Sequence, residues 1–313
     1  MTAVQSLAGT LAAIIAEGPA TGAVAVRHVE RDERFSHDGD APYPAASVFK
    51  VPVLVEAFRQ IGRGGLALTD RWEMTEEDKS TGSGVLTRLS PGLQPTVRDL
   101  LTLMIIISDN TATDMLVRCL DPERISATMR DLGYQQTRVV RGSRDLLTGI
   151  LGNAPPSLAP FEMAQHLRAN PPDPQSGAFT GGTEQNSSTA HEMADLFARI
   201  HTGDGMDAIG VDAAARAEMR RILLLQQLND RLPRFLPPTV PVAHKTGSLG
   251  GPWAVRNDAG LLDLGDRGTV AMAVFTRTRM PAGASPEESN HLLTTIDEQI
   301  ARMALAVYDH YAT

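Results

Sequence analysis

Apolar residues recur at helical spacing through the middle of this chain, while alternating apolar stretches gather towards its two ends. The opening residues, Met1 through Leu7 and beyond, read as an amphipathic helix. Gly22–Val29 and Arg34–Gly39 then read as a strand pair joined by the charged turn Glu30–Glu33. Ser47 opens a long apolar helix that Gly64-Gly65 ends, and a polar stretch through Gly82-Ser83-Gly84 leads to a second helical run from Val97 to Ile107. A further helix begins near Asn110 or Thr111 and turns Met115, Leu116 and Cys119 inward.

Between Gly149 and Asn186 the composition shifts to Pro and Gly around one short helical piece, Phe161 to Ala169, and reads as an elaborated surface segment. Regular helix resumes after the capping-box pattern Thr189-Ala190-His191-Glu192, with Met193, Leu196, Phe197 and Ile200 on one face. Three strands follow, Val240–Ser248, Ala259–Leu264 and Thr269–Thr276. Ser285-Pro286-Glu287-Glu288 then marks the start of a closing helix whose stripe of Leu292, Leu293, Ile296, Ile300, Met303, Ala304 and Val307 faces the sheet. Strands at both ends with helices between predict an α/β (α+β) domain split by an all-helical insertion. The expected division is residues 1–50 and 206–313 for the sheet domain and 51–205 for the helical one, with the atypical segment at 149–186.

With 313 residues, 42% of them apolar, the chain can bury a sizeable core. A net charge of −8 and no basic run interleaved with aromatics argue against a nucleic-acid partner. The single Cys119 cannot form an internal disulfide, and its apolar helical setting predicts a buried, structural thiol. As written, the N-terminus lacks an export signal's early positive charge and continuous apolar core, and no stretch approaches transmembrane length. The expected location is therefore cytoplasmic, with export open to a chain that starts elsewhere. No zinc-ligand spacing, phosphate loop or dinucleotide fingerprint occurs, so neither cofactor nor metal is implied.

Lysine changes the picture. Of 29 basic residues only three are lysines, and two of these stand in Ser47-Val48-Phe49-Lys50 and Lys245-Thr246-Gly247, with Ser108-Asp109-Asn110 between. Arginine stays charged almost everywhere, whereas a desolvated lysine can lose its proton and act as a base. The three elements, in this order, resemble the active-site set of class A β-lactamases and low-molecular-weight penicillin-binding proteins. Gly82-Ser83-Gly84-Val85-Leu86, Leu100-Leu101-Thr102-Leu103-Met104-Ile105 and Arg256-Asn257-Asp258 are similar to the same family's pattern, so the resemblance covers most of Ala23 to Thr276. It implies a β-lactamase/transpeptidase-like fold, an antiparallel sheet flanked by helices with the active site between sheet and helical domain.

On that reading Ser47 is the nucleophile and Lys50, one turn on, its base. As an isolated signal Ser47 also reads as a simple N-cap, as does Ser-Asp-Asn. Ser108 would relay protons between Lys50, Lys245 and the leaving nitrogen, and Asn110 would hold the substrate amide. Asp109 braces the turn. Lys245 would face a substrate carboxylate, with Thr246 adding a hydroxyl and Gly247 letting the substrate lie close. The resemblance further implies an oxyanion hole from the N–H groups of Ser47 and Ser248. His244, its side chain on the opposite side of the strand from Lys245, reads as structural.

One element departs from the pattern. Class A β-lactamases carry a glutamate about 35 residues beyond this Asn to activate the deacylating water, whereas no Glu occurs from Arg124 through Ala159. Asp145 lies near the right distance but is one methylene shorter, and reads equally as a partner of Arg141 or Arg144; Glu162 and Glu184 are remoter candidates. The sequence therefore predicts a serine hydrolase forming a Ser47 acyl-enzyme with a β-lactam or related amide or ester bearing a carboxylate. The alternatives are a D-alanyl peptidase, amidase or esterase, and a penicillin-binding or sensing protein with little turnover.

Overall fold

The computed structural model describes residues 6–151, 158, 160–170 and 172–312. In chain order these form helix α1 (Leu7–Glu17), strands β1 (Thr21–His28), β2 (Glu33–His37) and β3 (Tyr43–Pro44), and helices α2 (Lys50–Gly62), α3 (Val97–Ile106), α4 (Asn110–Leu120), α5 (Pro122–Asp131), α6 (Ser143–Leu151) and α7 (Pro160–Ala169). Strand β4 (Ser187–Ser188), helices α8 (Ala190–Thr202) and α9 (Ala213–Leu224), strands β5 (Val242–Leu249), β6 (Trp253–Asp263) and β7 (Thr269–Arg279), and helix α10 (Pro286–Ala312) follow.

Side-chain alternation in the terminal strands gives one antiparallel sheet two apolar faces. Its order is β2-β1-β7-β6-β5, so the chain's first strands and its last meet at the sheet centre. Val24, Val26, Val270, Met272 and Val274 face α1 and α10, where Ile300, Met303, Ala304 and Val307 are buried. Ala23, Ala25, Ala271, Ala273 and Phe275 face the other way, into a core continuous with α2, α3, α4, α5, α8 and α9. The fold thus matches the expected antiparallel sheet flanked by helices, with a helical part beside it.

The closing helix starts as its capping box dictates: Glu288 N donates to Ser285 Oγ at 3.1 Å and Ser285 N to Glu288 Oε2 at 2.7 Å. The box expected at Thr189 closes on one side only. Glu192 N donates to Thr189 Oγ1, but the Glu192 carboxylate instead accepts the amides of Gln135, Gln136 and Thr137. Three amides from a neighbouring turn outbid one local N–H. The α8 helix, expected with the helical insertion, packs its buried face on β1, β6 and β7.

Other elements differ from expectation. Asp145 lies on helix α6, which begins at Ser143, and α5, α6 and α9 lie where no helix was anticipated. Cys119 faces outward and is exposed, one position off the buried face of Met115, Leu116 and Leu120. Beyond α7 the atypical segment reaches the β5–β6 turn: Trp253 Nε1 donates to the Pro174 carbonyl at 3.2 Å, and Phe179 packs beside Gly251. Among the described residues no helix is long and apolar enough to cross a membrane.

Candidate active site

The chain enters the site under tension. Ala46 holds φ 45°, a conformation costly for a residue with a side chain, and is fully buried. What holds it is Asn257 on β6, whose Nδ2 donates to the carbonyls of Pro44 and Ala45 at 2.9 and 3.1 Å while its Oδ1 accepts Thr276 N. The expected helix at Ser47 begins as a tighter turn: Ala46–Phe49 is 3₁₀, and α2 proper starts at Lys50. A 3₁₀ turn eclipses positions i and i+3, so Ser47 and Lys50 still share a face.

Lys50 is fully buried, and its Nζ donates to Ser108 O at 2.7 Å, Ser108 Oγ at 3.0 Å and Asn110 Oδ1 at 2.8 Å. Ser108 adopts φ 58° at the end of α3, which turns its carbonyl towards the lysine. Ser83 Oγ donates to that carbonyl at 2.7 Å, and Asn110 Nδ2 donates to Thr81 O at 2.8 Å, so the Gly82-Ser83-Gly84 segment braces both residues from behind. Asp109 caps α4 through Ala112 N and accepts Val85 N and Leu86 N besides. Burial pushes Lys50 down to about 7, with the negative charges of Asp114 and Asp109 opposing it. Near neutrality this amine can therefore give up or take a proton.

Strand β5 forms the facing wall. Gly247 lies against the backbone of Ala45, Ser47 and Val48, and Lys245, also fully buried, donates from Nζ to the Thr246 carbonyl at 2.7 Å. Burial, reinforced by the charge of Lys50, holds its amine well below the ordinary lysine range. Thr246 is buried too, whereas Ser248 is exposed. His244 is bonded on both nitrogens, to Asp258 at 2.9 Å and Asn229 at 3.0 Å, a structural pairing.

Two arginines that sequence reasoning did not assign converge on Ser248. Arg231 donates to Ser248 Oγ at 2.5 Å and to the carbonyls of Gly247 and Asn257, and Arg256 stands opposite Ser248 on β6 with Nη1 at 3.4 Å. Asp297 on α10 clamps both, accepting Arg231 Nε at 2.7 Å and Arg256 Nη2 at 2.5 Å. With guanidinium donors on its oxygen, the Ser248 hydroxyl has its proton free to donate outward. Arg256 stood in the Arg256-Asn257-Asp258 pattern, and the charged residue beside Ile296 in the apolar stripe of α10 was a second signal for this cluster. Among the described residues no group of three or more His, Cys, Asp or Glu is placed to hold a metal ion.

The Ala46–Phe49 turn, buried Lys50, the Ser-Asp-Asn turn and the facing strand thus meet as one site, and residues 6–311 match the model of the beta-lactamase enzyme family. The chain belongs to that family. It is 26% identical over 298 residues to the beta-lactamase regulatory protein BlaB of Streptomyces cacaoi, covering 90% of this chain and 92% of that protein. It also resembles the crystal structure of a beta-lactamase from Sphaerobacter thermophilus DSM 20745, at a TM-score of 0.75 and 27% identity over 98% of this chain and 97% of that one. A beta-lactamase structure from Chitinophaga pinensis DSM 2588 shares the fold at a TM-score of 0.77 and 20% identity, over 98% and 99% of the two chains.

In this beta-lactamase family member the carboxylates proposed for deacylation stand apart from the lysine. Asp145 is exposed on the first turn of α6, makes no hydrogen bond or ion pair among the described residues, and lines an outer cavity with Glu77, Asp78 and Arg118. Arg141 bonds the Glu184 carbonyl instead of Asp145, and Arg144 the Lys79 carbonyl. Glu162 and Glu184 are exposed. None of the three hydrogen bonds of Lys50 goes to a carboxylate.

Proposed function

We propose that this protein forms an acyl-enzyme at Ser47 with a β-lactam or a related amide or ester that carries a carboxylate. The observation that carries the reading is the three-fold hold on Lys50 Nζ by Ser108 and Asn110, at a site where burial brings the amine to about 7. Neutral Lys50 takes the proton of Ser47 as Oγ attacks the carbonyl carbon. The amides of Ser47 and Ser248 receive the developing oxyanion. Ser108 then passes a proton to the leaving nitrogen, completing cleavage of the C–N bond. Asn110 aligns the substrate amide. Ser248, backed by Arg231 and Arg256, receives the carboxylate; Lys245, expected to face it, is fully buried and bonded to the Thr246 carbonyl, and we assign it with Thr246 to support of that strand.

A D-alanyl peptidase, amidase or esterase would use the same acylation step on another leaving group. A second reading, a penicillin-binding or sensing protein that deacylates slowly, is favoured by the absence of a carboxylate among the partners of Lys50 and by the likeness to a beta-lactamase regulatory protein. Intact-mass measurement during incubation with a penicillin tests all of these. A transient adduct with accumulating product supports hydrolysis, and a persistent one supports sensing. An adduct that survives Ser47→Ala sinks the assignment.

A further inference from the structure

Arg231, which brings its guanidinium to Ser248, comes from a segment without regular structure. Between the end of α9 at Leu224 and the start of β5 at Val242 the chain forms neither helix nor strand. A side chain on such a segment keeps a fixed place only if the segment itself is tied down. Gln227 N donates to the Ile106 carbonyl at 3.0 Å and secures the α9 side, but Leu228, Asn229 and Asp230 are exposed before Arg231 turns inward and is buried.

His244 ties down this stretch. It is fully buried on β5, directly opposite Gly260 of β6, where a Cβ would lie 2.5 Å from His244 Cβ. Any larger residue there would displace the imidazole. Its Nδ1 donates to Asp258, at 2.9 Å from Oδ1 and 3.1 Å from Oδ2, and its Nε2 stands 3.0 Å from Asn229 Oδ1. An amide presents either oxygen or nitrogen by turning about one bond, so Nε2 keeps a partner whether or not it carries a proton. Asp258 Oδ2 also accepts Leu232 N at 3.1 Å. Asn229 before Arg231 and Leu232 after it are thus fastened to one buried His–Asp pair. Burying that pair costs desolvation that a valine or leucine would avoid, as Val242 does on the same face of β5. What the pair adds is a directional hold on both flanks of the arginine.

We propose that His244 is a positioning residue for the carboxylate side of the site: through Asp258 and Asn229 it fixes the segment that delivers Arg231 to Ser248, and so sets how tightly a carboxylate-bearing substrate is held without entering the acyl transfer. The consequence for substrate rests on the acyl-enzyme reading; the hold on Arg231 does not.

Two substitutions in the full-length protein break the tie from opposite ends. Asn229→Ala removes an exposed side chain and leaves the His244–Asp258 pair intact, whereas His244→Asn shortens the buried partner so that it cannot span both. Leu228→Ala, exposed one residue earlier, is the control. The first readout needs no substrate. It is the hydrogen exchange of Arg231 Nε–H, which bonds Asp297, followed by NMR on ¹⁵N-arginine-labelled protein. We expect exchange to quicken by about tenfold in both variants, the scale of coupling between contacting residues, and to hold in the control.

The second readout is acylation by a penicillin, with the half-saturating concentration separated from the limiting rate. That concentration should rise by about tenfold in both variants while the limiting rate holds, and a neutral ester should show neither change. In an Arg231→Ala background His244→Asn should add nothing to the loss of second-order rate, since it acts through that arginine. Exchange unmoved in either folded variant, a fall in the limiting rate, or losses from His244→Asn and Arg231→Ala that multiply would overturn the proposal. If exchange quickens but the parent protein is not acylated, the hold on Arg231 stands and the acyl-enzyme reading fails.

Discussion

Gly247 seats its backbone directly on the amide of Ser47. A Cβ at position 247 would come within 3.1 Å of Ser47 N, 3.0 Å of Val48 N and 2.9 Å of Ala45 O. All three are backbone atoms, so no rotamer change relieves the clash. Gly247→Ala should push β5 away from the nucleophile turn and widen the space between the two amides assigned to the oxyanion. We expect acylation by a penicillin to slow by about 100-fold, the scale of a lost oxyanion donor, with the thermal midpoint separating this from unfolding. An unchanged rate would show that the close approach of strand and turn does not serve the chemistry.

The protonation of Lys50 predicts a pH profile. Acylation should rise as pH passes about 7, where Lys50 loses its proton, and level off above. Stability follows the same group. Between about 7 and the ordinary lysine value of 10.5 the unfolded chain binds more protons than the folded one, so this group's contribution to stability rises with pH across that window. Lys50→Met should therefore be most stable relative to the parent below pH 7 and lose that advantage towards pH 10.5. Urea titrations at several pH values, run on both proteins, would expose a gap that fails to narrow.

The Asp297 clamp on Arg231 and Arg256 makes a prediction about substrate choice. Arg256→Ala removes a charge beside Ser248 without touching Ser47 or Lys50. For a carboxylate-bearing substrate we expect the second-order acylation rate to fall by about tenfold to a hundredfold, from the loss of one charge-assisted contact. For a neutral ester the rate should hold. Equal losses on both substrates would assign Arg256 to the architecture of the strand rather than to the carboxylate.

Asp109 is expected to act on stability. It is fully buried and accepts three backbone amides, from Val85, Leu86 and Ala112. Asp109→Ala strands those donors and should cost about 3 kcal/mol. The measurement is the denaturant midpoint; a shift worth less than about 1 kcal/mol would mean that water replaces the lost acceptor.

The local rules written in this sequence were sufficient for much of the fold. Alternation marked the two ends that meet in one sheet, and the capping box at Ser285 placed the start of α10, because both signals depend on neighbours a few residues apart. The spacing of Ser47 and Lys50 put the two side chains on one face, since a helical turn of either kind places i and i+3 together. The scarcity of lysine among so many arginines drew attention to Lys50 and Lys245.

What the sequence by itself could not determine was whatever depends on partners far along the chain. Asn257 holding the turn before Ser47, Asp297 orienting two arginines, and Asp114 accepting the first amides of α6 join elements dozens to hundreds of residues apart. Glu192 shows the same thing in reverse, leaving its local cap for amides more than fifty residues upstream. The sequence determined the chemistry of the groups and their local geometry. Tertiary packing alone decided which of them are desolvated and which charges they face, and those two quantities set whether an amine can act as a base near neutrality.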